Sequence, residues 1–169
     1  TGGIDLSACS IMALASVVGG MAMSGDGGWL AGSPLAAPVG VGLMLAAGAA
    51  VGGTNGIAVT VLRMPPFIVT LTTMMFVSGL AIWLTRAETV GDLPPGFNAL
   101  GAKIPIAFAL TLVVGAATHL LLGRTVYGRW LYAIGQNSRM ARISGVPVGG
   151  VTAATYVVSG RLAGAAASL

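Results

Sequence analysis

Apolar residues run along this chain in long blocks, and polar residues gather in the short links between them. A helix that crosses hydrocarbon needs about 20 mostly apolar residues. Five blocks approach or reach that length: Leu6 to Met23, Leu35 to about Leu62, Phe67 to Thr85, Pro105 to Leu122 and Val151 to Leu169. The pattern predicts an all-α membrane protein, a polytopic helix bundle with about five spanning helices. Turn and breaker residues punctuate the blocks. "SGDGGWLAGSP" follows the first, "RMPP" the second, and longer polar links follow the third and fourth.

Charge in the links gives the bundle a sidedness. The Ser24–Pro34 link has one acid and no base, and the Arg63–Pro66 link has one arginine. The Arg86–Ile104 link has two bases and two acids. The Gly123–Gly150 link has Arg124, Arg129, Arg139 and Arg142 and no acid. Cytoplasmic loops are enriched in Lys and Arg. The Arg63 link and the four-arginine link are therefore expected inside, and the other two outside. Consecutive links then alternate sides, as five spans require.

Composition supports the membrane reading. Hydrophobic residues make up 56% and charged residues 7%, with a mean hydropathy of +0.93. Soluble domains carry about a quarter charged residues, and four acids with eight bases could not cover the outside of a soluble fold. The eight cations are spread along the chain, all but Arg161 in links, and form no basic face, so nucleic acid is not an expected partner. A single cysteine, Cys9, excludes an internal disulfide and a cysteine-cluster zinc site. The opening "TGGIDLS" has no methionine and no basic region before an apolar core, unlike a signal peptide. The chain ends "GAAASL" within an apolar run. Both ends read as cut from a longer membrane protein.

Small residues recur at helical spacing. Gly48, Gly52 and Gly56 form one stripe on the second block, and Gly160, Gly164 and Ser168 form another on the fifth. In lipid, close backbone approach holds helices together, so these stripes are expected at tight crossings within a larger assembly. "GGIDLSACSIMALASVVGG" and "GGVTAATYVVSGRLAGAAA" suggest a faint internal repeat, a feature of transporter folds.

Catalytic chemistry is not expected. His119 is the one histidine, which leaves no HExxH motif and no histidine-based metal site, and G-x-S-x-G is missing. A P-loop needs a lysine after glycine, and the one lysine stands in "GAKIP" at Lys103. ATP-driven work would therefore fall to a partner subunit, and no cofactor is expected on this chain. Asp26, Glu88 and Asp92 lie in links, and Asp5 lies at a block's edge. An ion-coupled carrier would be expected to place carboxylates mid-membrane. Arg161 stands inside the fifth block, where three roles compete: facing a wet path, pairing with Asp5, or snorkelling outward. Neutral polar groups are plentiful: Thr54, Asn55, Thr70, Thr72, Thr73 and Ser78. Of these, Asn55, Thr72, Thr73 and Ser78 are candidates for the path of a neutral, hydroxylated solute. Equally, hydroxyls in helices bond their own backbone.

"YAIGQNSRMARISGVP" breaks at Gly135 and then carries Gln136, Asn137 and Ser138 ahead of "RMARISG". Asn137 or Ser138 can cap a short helix, and Gly145 with Pro147 can end it. Over Ser138 to Ser144 the spacing puts Met140 and Ile143 on one side and Arg139 and Arg142 on another. Such a helix suits either an interfacial anchor or a docking surface for a cytoplasmic protein.

Four segments in order then resemble the permease subunits of ribose/xylose-type ABC transporters. They are "TGGIDLSACSIMAL", "GGTNGIAVTVLRMPPFIVTLTTMMFVSGLAIWLT", "GRTVYGRWLYAIGQNSRMARISGVPV" and "VVSGRLAGAAASL". The resemblance implies that residues 1–169 belong to a transmembrane permease domain of the bacterial inner membrane. Its partners would be cytoplasmic ABC ATPase subunits, a periplasmic or extracellular solute-binding protein, a second permease copy and the lipid bilayer. It also implies a coupling helix that docks on the ATPase, matching Asn137, Ser138, Arg139, Arg142 and Gly145. The expected solute is a monosaccharide. Branched-chain amino-acid-type ABC permeases, a partnerless channel or structural membrane protein, and an ion-coupled carrier stand as alternatives. Arg161 departs from the family's apolar "SGLLAG" pattern.

Overall fold

The computed structural model describes residues 2–102 and 104–169; Lys103 lies outside them. Every regular element among the described residues is a helix. Helix α1 spans Ala8–Met23, α2 Ala36–Thr60, α3 Pro66–Thr85, α4 Pro95–Ala102, α5 Ile104–Arg124, α6 Val126–Ile143 and α7 Val148–Ala166.

Prolines mark most helix starts. Pro66 opens α3, Pro95 opens α4, and Pro38 and Pro105 lie in the first turns of α2 and α5. There the missing N–H is no loss, because first-turn amides have no intrahelical partner. Thr125 starts α6, its side chain accepting from the Gly128 N–H at 3.1 Å. The turn from α5 into α6 is tight. A Cβ on Gly128 would stand 2.6 Å from the Leu121 carbonyl oxygen, a distance no real side chain adopts.

Five helices, α1, α2, α3, α5 and α7, correspond to the five expected blocks. Three satisfy length and hydropathy for crossing a membrane: α2, α3 and Ala107–Arg124 of α5. Helix α1 is apolar but has 16 residues, or about 24 Å at 1.5 Å per residue. The chain before it, Gly2 to Leu6, is non-helical. Helix α7 has 19 residues and is diluted by Thr152, Thr155, Tyr156, Ser159 and Arg161. The links hold two helices absent from the hydropathy pattern, α4 and the greater part of α6. The faint repeat stops at the backbone: the residues after Gly3 are non-helical, whereas those after Gly150 are in α7.

The bundle centres on α2 against α7, with α1 packed on α2, α3 and α7. One apolar cluster joins Ala15 and Met23 of α1 to Ala36 and Met44 of α2, with Leu93 and Phe97 against it. A second joins Leu14 to Val77 and Ala81. A third, at the opposite end from the first, unites Ile134 and Ala141 of α6 with Val151 of α7. Helix α5 packs chiefly on α4 and α6, and no residue of its apolar window is fully buried.

Candidate functional site

At the arginine-rich end, α6 is two helices meeting at Asn137, whose φ of −160° and ψ of 100° leave the helical region. The expected break at Gly135 therefore falls two residues later. The Asn137 side chain explains this, since its Oδ1 accepts from the N–H groups of Arg139 at 3.1 Å and Met140 at 3.0 Å. Gly135, without a side chain, offers no cap. The second helix ends in a complete Schellman turn. The Val146 N–H donates to the Ala141 carbonyl at 3.0 Å and the Gly145 N–H to the Arg142 carbonyl at 3.1 Å. Gly145 supplies the left-handed residue this turn needs, with φ +83°.

Ser138 to Ile143 is thus a short helix fixed at both ends and held down by Ala141, which is 4% exposed in the cluster with Ile134, Val146 and Val151. Its outer surface differs from the expected separation of apolar and basic sides. Ala141 alone faces inward, and Met140 and Ile143 are exposed together with Asn137, Ser138, Arg139 and Arg142. A mixed apolar and cationic face points away from the bundle. Gly145 is exposed beside it.

Deeper in the bundle, side chains from four segments join in one hydrogen-bonded chain. Asp5 Oδ1 accepts from the Ser7 N–H at 3.0 Å and the Ser7 hydroxyl at 2.6 Å. Asp5 Oδ2 accepts from Ser159 of α7 at 2.9 Å. Asn55 of α2 donates from Nδ2 to Ser7 Oγ at 2.9 Å, and its Oδ1 accepts from Thr73 of α3 at 2.7 Å. Thr70 Oγ1 donates to the Ile4 carbonyl at 3.2 Å. Irregular backbone at membrane depth is tolerated only where protein or a cavity satisfies it. Here these side chains hold the non-helical entry segment. Gly3 packs where a Cβ would lie 2.9 Å from the Tyr156 hydroxyl and 3.2 Å from Pro66. Tyr156 is buried, and its hydroxyl has no hydrogen-bond partner among the described residues.

Of the candidate path residues, the structure brings together Asn55, which is 1% exposed, and half-buried Thr73. Thr72 is exposed and donates to the Ile68 carbonyl of its own helix at 2.8 Å. Ser78 lies half-buried further along α3. Ser7, Asp5 and Ser159 were not among the path candidates; the acid-serine pair of "IDLS" ahead of a helix could have signalled Asp5 and Ser7, and nothing local signals Ser159. Arg161 is exposed, and both Asp5 oxygens are occupied by serines, so the Asp5–Arg161 pairing is not the arrangement adopted. His119 is exposed on α5.

The two glycine stripes face each other rather than a separate partner. A Cβ on Gly48 would be 2.9 Å from the Gly160 carbonyl carbon, and one on Gly52 would be 3.0 Å from that of Tyr156. Gly56 meets Ala153 at 3.0 Å, and Gly164 meets the Met44 carbonyl carbon at 3.0 Å. Backbone touches backbone along the whole α2–α7 crossing. At the far end, the Ser24 hydroxyl donates to the Gly91 carbonyl at 2.9 Å and the Gly25 N–H to that of Asp92 at 2.9 Å. These bonds tie the two links together around an open recess of about 450 Å³ containing Asp26, Arg86 and Glu88. Among the described residues no group of three or more His, Cys, Asp or Glu side chains could hold a metal.

The whole chain, residues 1–169, matches the family described as branched-chain amino acid transport system / permease component. It is similar to the probable ABC transporter permease protein y4mJ of Sinorhizobium fredii, with 37% identity over 96% of this chain and 48% of that protein. It is also similar to the autoinducer 2 import system permease protein LsrC of Yersinia enterocolitica, at 34% over 96% and 44%. The same protein of Yersinia pestis is 36% identical over 96% and 45%. The chain spans about half the length of these curated relatives. No solved structure matches it.

Proposed function

Since the chain belongs to the family of branched-chain amino acid transport system permease components, we propose that it forms part of the membrane path of an ABC importer. ATP hydrolysis would then belong to separate cytoplasmic subunits, and a periplasmic or extracellular binding protein would deliver the solute. A second permease copy would complete the path in the bacterial inner membrane. The observation that carries this reading is the helix Ser138–Ile143. It is capped at both ends, anchored by one buried alanine, and presents Arg139 and Arg142 outward. Such a helix moves as a unit with α7 when pushed, which is what energy transfer from a soluble motor requires.

The solute we propose is small, neutral and hydroxylated, of the monosaccharide class. Support comes from the neutral donors and acceptors along α2 and α3: Asn55, Thr72, Thr73 and Ser78. Asn55 and Thr73 would have to exchange their mutual bond for bonds to a solute hydroxyl, a trade between interactions of similar strength. The relatives named above carry autoinducer 2 or no solute in their names, and none carries an amino acid.

The test uses the full-length permease with its ATPase and binding protein. Gly145→Trp forces a side chain onto φ +83° at the edge of the docking face. Membrane insertion is expected to persist while solute-stimulated ATP hydrolysis is lost. Unchanged stimulation would remove this helix from the coupling role.

A further inference from the structure

The Tyr156 hydroxyl is closed in by this chain's own atoms and donates to nothing among the described residues. Buried polar groups are normally paired, because an unmade bond costs the full desolvation of the group. No solute and no further segment reaches this oxygen without a rearrangement, so its partner has to come from inside the bundle. Asp5 has room for it. A carboxylate offers about four acceptor positions, and Asp5 uses three, two for Ser7 and one for Ser159.

The entry segment and α7 run past each other in matching order. Gly3 lies opposite Tyr156, where a Cβ would stand 2.9 Å from the hydroxyl. Two residues on, Asp5 lies opposite Ser159. Tyr156 precedes Ser159 by three positions, about 4.5 Å along a helix, and residues so spaced are neighbours on one face. Moving α7 along its own axis by about that distance, away from its arginine-rich end, carries Ser159 past Asp5 and brings the Tyr156 hydroxyl to it.

We propose that Asp5 is a two-position latch between the entry segment and α7. It is bonded to Ser159 in the present structure, and to Tyr156 in a second state reached when α7 is pushed from its arginine-rich end. A serine released in this way can bond a carbonyl of its own helix, so the exchange strands no hydroxyl. Tyr156 and Ser159 are thus positioning residues for the movement of α7. The source of the push rests on the importer reading above.

The test uses the full-length permease with its ATPase and reads the permease's thermal midpoint without nucleotide and with a non-hydrolysable ATP analogue. Without nucleotide, Ser159→Ala should lower the midpoint. Tyr156→Phe, which removes an unpaired hydroxyl and keeps the ring, should not. With the analogue the order should reverse. In an Asp5→Ala background neither change should matter in either state; if Asp5→Ala does not fold, Asp5→Asn should weaken both effects together. With the binding protein present, solute uptake should fall at least about 10-fold in Tyr156→Phe, as loss of a hydrogen bond to a carboxylate implies. The same order of variants in both states would overturn the latch. So would a Tyr156→Phe effect undiminished by the change at Asp5. A parent complex whose midpoint ignores the analogue would overturn the importer reading as well, whereas a responding parent leaves that reading standing whatever the variants do.

Discussion

Asn55 shows how much a single buried amide can organise. It touches the entry segment through Ser7 and α3 through Thr73, so its loss would release both. Interhelical side-chain bonds in membrane proteins are worth about 0.6 kcal/mol each, with a maximum near 1.7. Asn55→Leu is therefore expected to cost about 1–3 kcal/mol, read as a lowered midpoint in thermal gel-filtration of the full-length protein. A midpoint equal to the parent's would mean that the chain of bonds contributes nothing. Arg161 carries the opposite expectation. It is exposed and leaves Asp5 to Ser7 and Ser159, so Arg161→Leu should leave the amount of inserted, folded protein at least at the parental level. A marked loss rescued by Asp5→Asn would restore the ion pair. The sequence marked Asn55 and Arg161 as unusual for their surroundings, but it could not indicate which partners they take. Ser159 lies 154 positions from Asp5, and no local spacing relates them.

Among the elements, the long apolar helices bounded by proline were legible, whereas the short α4 behind Pro95 was not. Pro66 marks the start of α3 in the sequence as it does in the structure. Helix α6 was less legible, because its first half, Val126–Gln136, mixes arginine and aromatic residues and has no long apolar run. Its break reads two residues early, at Gly135, because glycine reads as a breaker; Asn137, named as a possible cap, decides the matter with its bond-accepting side chain. The pairing of the two glycine stripes was half legible. Each stripe announced a close contact, and only the fold brings them together. Gly160→Leu should therefore separate α2 from α7. A side chain there meets the Gly48 backbone and would lie 3.1 Å from the Gly52 Cα before its own branches are counted. The expected result is a permease that is inserted but protease-sensitive and melts well below the parent. Gly42→Leu on α2, at a position with open space, should be neutral. Equal behaviour of the two variants would refute a seam role for Gly160.

At the scale of the molecule, the alternation of link charge foretold the vertical order of the ends. The Ser24–Pro34 and Arg86–Pro94 links bond to each other at one end, while α6 and the start of α7 share a core at the other. Single cysteines at Ser138 and Asp92, with Cys9 replaced, should react with a membrane-impermeant thiol reagent from opposite sides of sealed vesicles. Reaction from one side alone would break the five-fold alternation. Hydropathy could not show that α5 stands apart, because an apolar helix reads the same whether it packs on protein or on lipid.

The backbone seam between α2 and α7 has a mechanical corollary. Interdigitated side chains lock two helices, because sliding requires each knob to leave its hole. A glycine track has no interlocked side chains of its own, so a step of α2 along α7 needs no glycine to change rotamer. The track also has a pitch. Gly48, Gly52 and Gly56 recur every four residues, or about 6 Å. Intermediate positions would set glycine against bulkier neighbours, so the seam favours discrete stops one helical turn apart over continuous drift. Because α7 is rooted at its arginine-rich end in the same core as the Ser138–Ile143 helix, a push at that surface would act along the track.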